Sequence, residues 1–65
     1  MPDNQQRYRL TLTMGGRPTM DGWWASEKTA RRKFAGLVGE YGSIDGATIV
    51  LVDTADGEQV LASWP

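Results

Sequence analysis

The apolar positions of this chain change period twice. From Arg7 to Thr13 they alternate: Tyr8, Leu10 and Leu12 point one way, and Arg7, Arg9, Thr11 and Thr13 the other. Period-two alternation with tyrosine and threonine predicts a half-buried strand. Gly15-Gly16 follows as a hairpin turn signal. From Ser26 to Gly42 the period becomes helical, with Ala30, Phe34, Leu37, Val38 and Tyr41 forming one apolar stripe. From Ala47 to Asp53 (ATIVLVD) it returns to strand, and Glu58 to Trp64 comes back as a partner after an Ala55-Asp56-Gly57 turn.

Turn chemistry sets the expected registers. A two-residue Gly-Gly loop would carry Leu10 opposite Asp21, placing charge on the apolar face. A three-residue loop, Met14 to Gly16, pairs Leu12 with Pro18, Leu10 with Met20 and Tyr8 with Gly22, and is the register expected. It sets Trp23 opposite Arg7 and Asp21 opposite Arg9, and turns Trp24 inward beneath the start of the helix. Pro18 cannot donate to a ladder, which makes this second strand an edge. In the second hairpin Val52 should pair Val60, Val50 pair Ala62 and Thr48 pair Trp64. Ile49, Leu51 and Leu61 then share the opposite face, so this hairpin is apolar on both sides.

The helix carries its own signals. Ser26 is placed to cap the first turn, and Glu27 lies where the helix dipole favours an anion. Gly42 is placed to end it in a left-handed conformation. Gly36 and Gly39 each cost about 1 kcal/mol against alanine in a helix interior. Close backbone approach to a sheet or partner is one explanation for them, and a tolerated weak spot near the helix end is the other.

Hairpin, helix, hairpin predicts an α+β domain: a four-stranded mixed sheet with one helix across one face. A right-handed crossover would set strands 1 and 4 parallel at the centre, giving the order 2-1-4-3. The pattern resembles the immunoglobulin-binding domains of the protein G type. Tyr8-Arg9-Leu10, Ala30 to Phe34, Asp45-Gly46 and Asp53 to Gly57 carry the resemblance. Strand 2 departs from it, with Pro18 and Trp23-Trp24. The resemblance implies the β-grasp fold over the whole chain and transfers no functional residue.

Length and composition then narrow the function. The 65 residues make one domain, with residues 1–6 expected to fray. A chain this short buries about 60% of its unfolded surface, so its stability margin is small. Neither cysteine nor histidine is present, which removes the commonest general base and the usual zinc ligands. No serine has a base at motif spacing, no phosphate or dinucleotide loop occurs, and Asp53, Asp56 and Glu58 miss the calcium-loop spacing. The expectation is no enzyme, no cofactor, no metal and no small-molecule substrate. No apolar run spans a membrane and MPDNQQ lacks a signal pattern, so a cytoplasmic location is expected.

Charge leaves two binding readings. All seven basic residues lie in residues 1–33, against three acids, a net +4; residues 34–65 hold five acids and no base, a net −5. The first reading is a protein-interaction domain, with a protein partner or a second copy of itself meeting Ile49, Leu51, Leu61 and Trp64. Three tryptophans in so short a chain favour it, since tryptophan is enriched at interface hot spots. The second reading is nucleic-acid binding through Arg7, Arg9, Arg17 and Trp23 of the first hairpin with Arg31, Arg32 and Lys33 of the helix. The overall net charge of −1 weighs against it, and Arg7 stacked on Trp23 would account for part of the same pattern.

Overall fold

The computed structural model describes residues 6–65. The elements are β1 (Tyr8–Met14), β2 (Arg17–Trp24), α1 (Glu27–Tyr41), β3 (Ala47–Asp53) and β4 (Gln59–Trp64). The expected α+β architecture is present, with four strands in one sheet and one helix. The fraying expected of residues 1–6 falls on residues 1–5, outside the described ones, and on Gln6.

The sheet order differs from the expectation. It is β2-β1-β3-β4 with every neighbouring pair antiparallel, so β3, not β4, lies beside β1, and the sheet is neither mixed nor in the β-grasp order. The apolar content of the two candidates explains the choice. β3 is apolar on both faces and its neighbour β4 ends in Ala-Ser-Trp, so the central position suits β3. There Ala47, Ile49 and Leu51 are buried, facing Met14, Leu12 and Leu10 in register. α1 lies chiefly over β3 and β1.

Hairpin one corrects the loop reading. Met14 pairs Arg17, so the turn is the two-residue Gly15-Gly16 loop, with φ of 58° and 84°. Positive φ at both positions is what glycine allows and this tight turn needs. The charge conflict expected of that loop is avoided by a bulge. Thr13 pairs Pro18 and Leu12 pairs Met20, leaving Thr19 as the extra residue. The bulge resets the parity of β2. Leu10 then meets Gly22, Tyr8 meets Trp24 and Arg9 meets Trp23. Trp24 is on the helix side, as its position in the chain predicted, and packs against the core.

Hairpin two is similar in kind. Val52 pairs Val60 as expected, and Gly57 takes a positive φ of 80° in the turn. A bulge at Leu61 then shifts the ladder, so that Leu51 meets Ala62 and Ile49 meets Trp64. Thr48 and Trp64 are therefore not partners, and Trp64 belongs to the helix side.

The helix begins as predicted. Ser26 is extended and its hydroxyl accepts from the Thr29 N–H at 3.3 Å. Its end differs: Gly42 stays right-handed at φ −63°, its N–H still bonded to the Val38 carbonyl. The left-handed role passes to Gly46, with φ of 87°. Gly46 accepts from the Gly15 N–H at 3.0 Å, which ties the α1–β3 connection to the first turn. The core is Tyr8, Leu10, Leu12, Ala30, Ala47, Ile49 and Leu51, with Phe34, Leu37, Val38 and Tyr41 packed around it. Ala30 is the one fully buried helix residue.

Candidate interaction surface

The four residues expected to form an interface do not share a surface. Ile49 and Leu51 are 0% exposed, covered by the helix, and have nothing to offer a partner. Leu61 is half-buried against the core. Trp64 is 41% exposed, and its indole N–H donates to the Gly42 carbonyl at 3.1 Å. The apolar second face of this hairpin does exist, but the wrong one was expected to be free. Parity with Leu10 and Leu12 sends Ile49 and Leu51 inward, and leaves Val50, Val52 and Val60 on the side away from the helix.

That uncovered side is built in rows across the sheet. One row is Trp23, Arg9, Val52 and Val60; the next is Asp21, Thr11, Val50 and Ser63. Trp23 is 41% and Val60 61% exposed. Val60 and Val52 are the surface residues that sequence reasoning missed, although two-sided apolarity of the hairpin was the signal for them.

The charges on this side are paired. Arg9 donates from Nε and Nη2 to the two Asp21 carboxylate oxygens at 3.1 and 3.3 Å. The Thr11 hydroxyl adds a third bond to Asp21 at 3.3 Å. The Arg9 guanidinium also sits 5.8 Å from the Trp23 ring centroid, within cation–π range. At the sheet end Arg7 makes the same two-pronged contact with Asp53, at 3.0 and 2.8 Å. It stacks over Tyr8 at 4.9 Å, not over Trp23. These bonds hold the Asp21 and Asp53 carboxyls below the usual carboxylate range, Arg9 and Arg7 being the chief causes and the Ala55 N–H assisting at Asp53. The same contacts raise both arginines.

The basic residues therefore split between two sides. Arg9 and Trp23 lie on the uncovered sheet side, Arg7 at the sheet's end and Arg17 at the tip of hairpin one. Arg31, Arg32 and Lys33 ride on the helix, across the sheet from Arg9. Arg31 is bonded to Glu27 one turn earlier at 2.7 Å. Three of the seven residues offered for nucleic acid are thus held by carboxylates.

A second open feature lies on the helix side. Because α1 sits over β3 and β1, it leaves a groove of about 460 Å³ beside β2. Its floor is Leu10, Met20, Trp24 and Leu37; Arg32, Lys33, Gly36 and Glu40 form its helix wall. Met20 is 43% exposed there.

Among the described residues, no three acidic side chains stand where they could share a metal ion, and no helix is long and apolar enough to cross a membrane. No known protein family, curated protein or solved structure matches this chain.

Proposed function

We propose that this chain is a small non-enzymatic protein-interaction domain that meets a partner through the uncovered side of its sheet. The observation that carries the reading is the row Trp23, Arg9, Val52, Val60. It combines a half-exposed tryptophan with a valine surface, and its one cation is already neutralised by Asp21. Such a surface gains by excluding water against another apolar surface. Tryptophan and arginine are also both enriched at interface hot spots. An ordinary soluble composition suits the cytoplasm, where we place it.

Nucleic-acid binding is the less favoured reading of the same side. It needs cations available to phosphate, and the cation beside Trp23, Arg9, is committed to Asp21.

The test is capture with the intact chain at moderate salt, against a Trp23→Ser/Val60→Ser variant. A protein held by the wild type and lost by the variant supports the reading. Equal retention by both, or a salt-sensitive retention of DNA or RNA, overturns it.

A further inference from the structure

The helix wall of the groove beside β2 has a symmetry of its own. Arg32, Gly36 and Glu40 stand one above another at successive turns, all exposed. Gly36 is midway, with Arg32 four residues before it and Glu40 four after. Neither Arg32 nor Glu40 makes an ion pair among the described residues, whereas Arg7, Arg9 and Arg31 each do. A Cβ built on Gly36 would meet nothing within 4 Å. The glycine is therefore not explained by approach to the chain's own sheet.

We infer that the groove is covered by a second copy of this chain, with the two α1 helices antiparallel and crossing at Gly36. A two-fold axis at that glycine sets Arg32 of each copy against Glu40 of the other, so both unpaired charges are satisfied twice by one contact. Lys33 lies at the same positive end and adds to it. Glycine at the crossing lets the helices approach toward the short end of the usual separation of about 8–10 Å. The contact also covers Met20, Trp24 and Leu37, which the helix leaves partly open. An unrelated acidic segment would answer Arg32 but would face Glu40 with like charge. A copy of the same helix reversed answers both. This inference concerns the opposite side of the molecule from the Trp23 row, and the dimer would present two such rows outward.

The experiment is sedimentation equilibrium of the full chain over the micromolar range. The wild type should be a reversible dimer. Arg32→Glu and Glu40→Arg should each weaken it by about tenfold or more, since each replaces two attractions by two repulsions. The Arg32→Glu/Glu40→Arg swap should return it to within about threefold of wild type. Residues 32 and 40 are about 12 Å apart along one helix, so recovery cannot come from a contact inside a protomer. Both side chains are exposed, and thermal melts should confirm that every variant is folded. Trp23→Ser/Val60→Ser should dimerise like wild type, which separates this surface from the one proposed for a partner. A wild type that stays monomeric overturns the inference. So does a dimer indifferent to either reversal, or a swap that fails to recover.

Discussion

The Trp64 indole N–H is bonded to the Gly42 carbonyl at 3.1 Å, joining the outer strand β4 to the end of α1. α1 otherwise leans on β3 and β1, so this bond pins the margin of the sheet that the helix does not reach. A Cβ on Gly42 would lie 2.9 Å from the Trp64 indole nitrogen and would also press on the Val38 carbonyl oxygen. Trp64→Phe should cost about 1 kcal/mol in urea unfolding, the net worth of one hydrogen bond. Gly42→Ala should cost about 1–3 kcal/mol as local overpacking. Placed on Trp64→Ala, the Gly42→Ala penalty should shrink by about 0.5 kcal/mol or more. Strict additivity would show that the indole and the helix end are not in contact.

Asp21 and Asp53 give the fold a pH dependence of known sign. Both carboxyls are held below their unfolded value, about 4, by their arginines. Their contribution is complete above that unfolded value and is lost as pH falls through the lower folded one. Stability should therefore decline on acidification below about pH 4. Asp21 is exposed, and Asp53, 16% exposed, pairs with an exposed Arg7, so the decline should be small and should shrink further in salt. Unfolding midpoints for the wild type and Asp21→Asn across this range test it. The variant should show the shallower slope, and equal slopes would mean that Arg9 does not hold Asp21 in solution.

The two sides of β3 and β4 should respond oppositely to truncation. Ile49→Ala removes a fully buried side chain and should cost about 2–5 kcal/mol, enough to unfold much of so small a domain. Val60→Ser, at a position 61% exposed, should stay within about 0.5 kcal/mol of wild type. Circular dichroism melts distinguish the outcomes, and a destabilised Val60→Ser beside a tolerant Ile49→Ala would reverse the assignment of the faces.

That contrast shows where the sequence was readable. The helix, its Ser26 cap and the bounds of β3 follow from periodicity and local hydrogen bonding, which act within a few residues. The sheet order does not, because either strand of hairpin two could pair with β1 on pattern alone. The apolar side chains on both faces of β3 favour it for the central position. The bulges at Thr19 and Leu61 carry no glycine to announce them, yet each changes which side chains share a face. They are why pattern alone points away from the two-residue turn and sets Trp64 opposite Thr48. The free apolar surface was misplaced for a related reason. Nothing in ATIVLVD says which of its two apolar sets the helix will take until the pairing of Leu51 with Leu10 is known.

Gly46 should resist a side chain because of its backbone conformation. Its φ of 87° is unfavourable for any L residue, and an added Cβ would lie 3.4 Å from the Gly15 nitrogen. That nitrogen is the donor of the bond joining the α1–β3 connection to hairpin one. Gly46→Ala should cost about 1–2 kcal/mol. Amide exchange adds a local readout, in which protection at Gly15 should fall in the variant. Retained protection would mean that the two turns are held together by something other than this contact.

Gly36 and Gly39 make the opposite case, because neither has anything within 4 Å of a built Cβ. With no steric cost, alanine at either should stabilise the protomer by about 1 kcal/mol through helix propensity alone. The two differ in where they point. Gly36 lies on the groove wall between Arg32 and Glu40, whereas Gly39 is not among the groove residues. At dilutions where the chain is monomeric, both variants should show the same raised urea midpoint. At micromolar concentration Gly36→Ala should weaken self-association, because its methyl group keeps the crossing helices apart, and Gly39→Ala should leave it unchanged. Equal effects of the two on sedimentation would remove Gly36 from the crossing point, while a failure of both to stabilise the monomer would mean that the helix is strained at these positions.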